Sequence, residues 1–408
     1  MKEDAYTPDT VSIGPYHRDT NKQNSQMQEM EALKRRYLET VFVRTSEQTS
    51  RENYMKALND LETETRKCYS SDPIINLSSK ELVELMLLDG FFIIELLRKN
   101  SNDVEFDVDD PIFYSKLKRT RVVRDLVLLE NQIPMLVLQK LFDLRKDPNS
   151  QSLSLIEMGL LFFEPLIPDG LNKYSSNSAN INTTINTHKH LLDLLSCTLE
   201  SSLPPPVMKE QQQSLTTTPE SLPCVTELRH SGVKFNEGSE YGSLMNIKFS
   251  REVFEIPQLC VDDYTDSFFR NLIAYEQQRS GGRHCITSYA LLMDYLINSA
   301  DDVAFLRDSG IIKNYLGDDN KVSSLFNNLC SEIFNVADEF YYSDLCDELR
   351  EYYNRPCNKW KATLMRDYCN SPWTITSVVA AILLLFLTAW GTLFTTLPVF
   401  NVNFKHKS

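Results

Sequence analysis

Few residues in this chain stand at spacings that could do chemistry. His188 and His190 are two apart, which offers both imidazoles to one metal ion from a strand, where alternate side chains share a face, but not from one face of a helix. The only cysteine near them is Cys197 and a polar run adjoins them, so the pair reads as exposed polar side chains and not as ligands. Glu130, Asn131 and Gln132 form a polar triplet between Leu129 and Ile133. Such a triplet could bind a ligand, but in an apolar setting it more often caps or joins helices.

The patterns GxxxxGK[ST], GxGxxG, GxSxG and HExxH are all absent, which removes the common sequence-readable routes to phosphoryl transfer, dinucleotide binding, esterase and zincin chemistry. Only 12 residues are Gly, roughly half the usual share of about 7%, so phosphate-cradling loops are not expected to abound. No residue is assigned a catalytic, cofactor-binding or metal-binding role, no cofactor is expected, and the chain is not read as an enzyme. A triad assembled in space from distant residues would escape this search, so an enzyme acting near a membrane stays as the alternative.

Composition bounds the partners. With 42% apolar residues in 408, the chain can build a sizeable core. A formal charge of −14 disfavours phosphate backbones, so no nucleic-acid partner is expected. The densest basic run, Lys116, Lys118, Arg119, Arg121 and Arg124, has no aromatic residue interleaved as a base-stacking groove would want and reads as a solvated face. Nine scattered cysteines without a CxxC pair suggest neither a zinc site nor a disulfide framework. The opening MKEDAYTPDT lacks the apolar core of a signal peptide, and the N-terminal part is expected to be made in the reducing cytosol.

The elements that must position any site are mainly helical. Apolar residues at three- and four-residue spacing from Met30 to Phe42 predict a helix with Leu33, Tyr37, Val41 and Phe42 inward. Ser78 and Glu81 form a capping-box pattern ahead of Leu82 to Leu97, apolar nearly all round and therefore central. Val122 to Leu144 is predicted to kink, or to be two helices meeting at Ile133, because Pro134 lies inside it. A polar insertion, about 173–222 and partly disordered, holds one short apolar helix at Leu191 to Leu199. A small antiparallel sheet is predicted from Val233 to Phe235, Leu244 to Phe249 and Val253 to Ile256, turning at Ser250 and Arg251. Helix signals return from Thr265 and include Val322 to Tyr353.

Ile375 to Leu397 runs 23 residues without a charge, and twelve of them are Leu, Ile, Val or Phe. At about 1.5 Å per residue the stretch reaches roughly 34 Å, enough for a hydrocarbon core of about 30 Å. One transmembrane helix at 373–400 is predicted, after a soluble domain over 1–372 and before a short tail at 401–408. Leu82 to Leu97 is assigned to a protein core because Asp89 and Glu95 interrupt it. Arg355, Lys359, Lys361 and Arg366 precede the span and only Lys405 and Lys407 follow it, which favours a single-pass, tail-anchored topology with the large domain cytosolic.

Several segments together resemble a plant family catalogued as domain of unknown function 247. They are AYTPDTVSIGPYHR (Ala5 to Arg18), MEALKRRYL (Met30 to Leu38), DGFFIIELL (Asp89 to Leu97), DLVLLENQIPMLVLQKLF (Asp125 to Phe142), LPCVTELRHSGVKF (Leu222 to Phe235), IPQLCVDD (Ile256 to Asp263) and FFRNLIAYEQ (Phe268 to Gln277). The resemblance implies a plant membrane protein ending in one spanning helix, with no established activity or catalytic residues. Some grass members of that family are linked to self-incompatibility, so a protein–protein recognition or signalling role, with a protein partner, is the expectation.

Overall fold

The computed structural model describes residues 3–18, 24–44, 51–70, 74, 76–105, 108–145, 153–167, 188–203, 222–238, 244–279, 283–331, 333, 340–368 and 372–405. Helices dominate it, packed on a single continuous apolar core that runs from Val11 to Tyr352. Ser25–Arg44 (α1), Arg51–Asp60 (α2) and Glu62–Lys67 (α3) pack against a central helix, Ser79–Asn100 (α4). Beyond the short Pro111–Tyr114 (α5) and Lys116–Asp125 (α6), Met135–Arg145 (α7) and Leu155–Phe162 (α8) pack on α4 as well. Ser78 starts α4 with the capping box legible in the sequence: its hydroxyl accepts the Glu81 N–H, and the Glu81 carboxylate accepts the Ser78 N–H at 3.0 Å. The two acids inside α4 are buried and paired. Asp89 meets Lys34 of α1 at 2.7 Å, and Glu95 is surrounded by Arg44, Arg98 and Arg145.

The stretch from Val122 to Leu144 does not kink at Pro134 but divides between α6 and α7, with 126–134 non-helical between them. Asn131 and Gln132 account for the wider break, because their side chains hydrogen-bond the carbonyls of Asp125, Leu126 and Leu128 in place of helical partners. The basic run on α6 is not wholly solvated either. Arg124 is 6% exposed, bonded to the carbonyls of Thr7 and Asp4 and to Asp125, since a buried guanidinium must find acceptors for its fork of donors.

Leu191–Ser201 (α9) corrects the reading of 173–222 as one insertion. Leu191, Leu192, Leu194 and Leu195 are all buried in the core, so the polar segments on either side are separate connections; 168–187 and 204–221 lie outside the described residues.

The predicted hairpin exists as Lys248–Ser250 (β2) and Val253–Ile256 (β3), but it turns at Arg251 and Glu252, with φ of 49° and 67°. Pairing Ser250 with Val253 leaves a two-residue loop, and positive φ at both of its positions is the type I′ geometry that matches strand twist. The sheet is mixed, not purely antiparallel: Lys234–Glu237 (β1) joins β3 in parallel. A second, parallel pair, Leu259–Val261 (β4) with Ile312–Asn314 (β5), was not signalled at all. Between them run Thr265–Gln278 (α11), Cys285–Leu296 (α12) and Ala300–Asp308 (α13), the helical crossover a parallel pair requires. Val322 to Tyr353 likewise divides, into Asp319–Leu329 (α14) and Ser343–Asn354 (α15).

Pro356–Tyr368 (α16) packs on Val225–Ser231 (α10) and leads to Pro372–Lys405 (α17), which takes in residues 401–405 as well. Within α17, Thr376–Leu393 is long and apolar enough to cross a membrane, and none of it is buried against the rest of the chain.

Asp110 illustrates how the core tolerates charge. Its carboxylate is 1% exposed and accepts from Lys99 Nζ at 2.7 Å, Tyr37 Oη at 2.6 Å and the Ile112 N–H at 3.0 Å. Burial works against its charge, but the Lys99 ammonium and the Tyr37 hydroxyl outweigh it and hold the carboxyl below its ordinary range. The ion-pair contribution is therefore present above the unfolded pKa of about 3.9 and lost as pH falls through the lower folded value. Asp110→Asn is expected to cost about 1.5–3 kcal/mol at neutral pH. In urea melts at a series of pH values the gap to the parent should close in acid, and an equal gap at every pH would mean that the Asp110 charge does not stabilise the fold.

Candidate functional site

The family-like motifs of the N-terminal half meet in one buried polar clamp. Residues 9–14 join no helix or sheet, so their backbone groups need side-chain partners. Asp125 accepts the N–H groups of Asp9 (3.2 Å), Thr10 (2.7 Å) and Val11 (2.9 Å). Asn131 Oδ1 accepts from Ile13 N–H at 2.6 Å, and its Nδ2 donates to the Val11 carbonyl at 2.9 Å. Asp89 accepts the Gly14 N–H at 2.8 Å, and Lys34 donates to the Ser12 carbonyl. Gly14 is required at its place: φ is +73°, and a Cβ there would lie 2.7 Å from the Gln132 carbonyl oxygen. Gln132 also accepts the Leu192 N–H at 3.2 Å, tying the start of α9 to the same junction. Asn131 and Gln132 thus join segments; Glu130 does something else.

His188 and His190 are drawn into the fold, not left exposed as expected: His188 is buried and His190 half-buried. His190 caps α9, its Nδ1 accepting the Asp193 N–H at 3.2 Å, and its ring packs edge-on against Tyr275. Burial pushes the His190 imidazole down to about 4, so the ring is neutral at pH 7, as a capping acceptor must be. Asp193 accepts from Lys189 N–H at 2.7 Å, Tyr275 Oη at 2.6 Å and Cys197 Sγ at 3.4 Å. His188, Asp193 and Cys197 bring a nitrogen, an oxygen and a sulfur within 4.8 Å of one another. Both Asp193 oxygens are already committed, however, and burial pushes the Cys197 thiol up to about 12, so the cluster acts as a lock on the start of α9.

Beside the clamp lies a cleft of about 690 Å³, of the size that holds small organic ligands. Its lining includes the polar side chains of Tyr6, Tyr16, Glu130, Arg270 and Gln277 and the apolar ones of Leu129, Ile273 and Leu329. Burial raises the Glu130 carboxyl and lowers the neighbouring His17 imidazole, whose Nε2 lies 3.2 Å from Glu130 Oε2. Arg270 is steadied by Asp266 at 2.9 Å and by the Asn328 carbonyl at 3.1 Å. The arrangement can hold an amphipathic group with its polar end toward Glu130 and Arg270. Of these residues the sequence singled out only Glu130. Tyr6 and Tyr16 lie far from Arg270 along the chain, and no local spacing marks them.

The profile of a family described as plant protein of unknown function, DUF247, matches residues 1–387. The chain belongs to that family. The DUF247 match therefore takes in the clamp, the cleft and the first part of α17. The chain is 31% identical to UPF0481 protein At3g47200 of Arabidopsis thaliana, over 94% of this chain and 81% of that one. It is 23% identical to putative UPF0481 protein At3g02645 of the same plant, over 94% and 86% of the two chains. No solved structure matches this DUF247 chain.

Proposed function

We propose that this DUF247 protein is held in a membrane by a single pass of α17 and that its cytosolic helical domain recognises another protein, in intracellular signalling or in recognition of the self-incompatibility type. The observation that carries the reading is the bare apolar surface of Thr376–Leu393, where Leu383, Leu384, Leu385 and Leu387 are each more than half exposed. Burying such a surface in a bilayer relieves a cost that water would impose along its whole length. The cleft supplies surface for a partner, and the polar sequence of 173–187 and 206–219 is the candidate for setting partner choice.

Expressing the full chain in plant cells with a proximity-labelling enzyme on its N-terminus tests orientation and partner class together. Cytosolic neighbours support the reading; lumenal or wall neighbours overturn the orientation. Replacing 173–187 and 206–219 with Gly/Ser of equal length is expected to change the labelled set and leave the melting temperature within a few degrees. Deleting 191–201 is expected to abolish folding, because it removes a core helix. A labelled set unaltered by the Gly/Ser replacements would exclude those connections from recognition. The enzyme alternative is favoured by one feature, the raised Glu130 carboxyl in a cleft, which could serve as a general acid.

A further inference from the structure

Helix α16, Pro356–Tyr368, presents two unlike faces. One faces the domain: Ala362 is buried, Asn358 Nδ2 donates to the Tyr352 carbonyl at 2.9 Å, and the helix packs along α10. The other carries Cys357, Trp360 and Leu364, three and four residues apart and hence on one stripe, with Trp360 79% exposed. Lys359 and Arg366 are also exposed, the Lys361 ammonium lies against Gly232 at the end of α10, and the helix as a whole holds three bases to one acid, Asp367. This basic segment belongs to a chain of charge −14 and leads directly into α17.

We infer that α16 lies in the headgroup layer of an anionic membrane leaflet, with Trp360 and Leu364 toward the acyl chains and Lys359 and Arg366 against lipid phosphates. The inference rests on the membrane reading of α17. Indole is the side chain best suited to that layer, with an apolar body and one N–H donor, and lysine and arginine extend their charges outward along apolar stems. Continuity with the span commits the face to lipid, since a helix joined to an inserted segment through residues 369–371 is held at the surface. Charge complementarity commits it to an anionic leaflet. The packing of α16 on α10 then fixes how the whole domain sits on the membrane, because the lipid-facing stripe and the domain-facing residues belong to one rigid helix.

The chain's three tryptophans, Trp360, Trp373 and Trp390, make the test direct. Full-length chains keeping one tryptophan, with the other two changed to Phe, are reconstituted into phosphatidylcholine vesicles with and without phosphatidylserine, using lipids brominated near the headgroup or near the chain end. The Trp390-only chain reports the span and should be quenched most by deep bromines. The Trp360-only chain should lose most of its emission to shallow bromines, shift to the blue, and be quenched more with phosphatidylserine present. Adding Lys359→Glu and Arg366→Glu should abolish the phosphatidylserine effect. Trp360 left unquenched while Trp390 is quenched overturns the inference and leaves the span standing, whether water or a second copy covers the indole. Trp390 unquenched as well overturns the membrane reading itself, and this inference with it.

Discussion

A chain carrying Lys34→Met is expected to lose about 3–5 kcal/mol of stability, a large part of the roughly 5–15 kcal/mol that a folded domain possesses. Lys34 is 1% exposed, and its ammonium donates to Asp89 at 2.7 Å, to Glu31 at 2.6 Å and to the Ser12 carbonyl. Methionine keeps the volume but leaves the fully buried Asp89 carboxylate with only the Gly14 N–H, and a buried charge stripped of its counter-ion bears the full cost of leaving water. Burial alone would lower the Lys34 pKa, but the Asp89 and Glu31 carboxylates outweigh it and hold it above the usual lysine range. The contribution is thus whole below the unfolded lysine pKa of about 10.4 and lost as pH rises through the folded value.

The measurement is the urea midpoint of the full-length chain in detergent, with the slope unchanged. Lys34→Met combined with Asp89→Leu should recover part of the loss, because no charge is then stranded. Recovery stays partial, since the Ser12 carbonyl and the Gly14 N–H lose their partners. A single-variant cost under about 1 kcal/mol would mean that residues 9–14 are not held by this clamp.

The second large effect concerns α17. Leu383→Arg with Leu387→Arg is expected to release the chain from membranes while leaving the domain's melting unchanged. The twelve Leu, Ile, Val and Phe residues of the span favour insertion by about 4–7 kcal/mol, and two arginines near its centre oppose it by about 5–7 kcal/mol. Their side chains are 57% and 67% exposed, so the domain core loses nothing by the change. The readout is resistance to alkaline carbonate extraction, with Leu383→Ala and Leu387→Ala as the control that stays with the membrane. A double-arginine chain that remains in the carbonate-resistant pellet would show that α17 is not what holds the protein there.

Helices were legible wherever they obey local rules. The three- and four-residue spacing of Met30, Leu33, Tyr37 and Val41, the reciprocal Ser78–Glu81 cap and the charge-free run from Ile375 are all features of contiguous chain, and local order is what a sequence displays. Family membership was legible for a similar reason: its segments are contiguous and long. The sheet was half legible, because the β2–β3 hairpin is a local object while β4 and β5 pair across 53 residues (Leu259 with Ile312) and are three residues each.

What the sequence by itself determined is the helical class, the central place of α4 and the single uncharged segment able to enter a bilayer. Tertiary structure alone decided where the polar residues work: Lys34 and Asp89 meet across 55 residues, Asp125 and Val11 across 114, and Arg124 leaves its basic run for carbonyls near the N-terminus. It alone placed Tyr6, Tyr16, Glu130 and Arg270 around one cleft. A lone charged residue looks the same in sequence whether water or a buried partner satisfies it, and only the folded chain, by removing water, makes the choice of partner decisive.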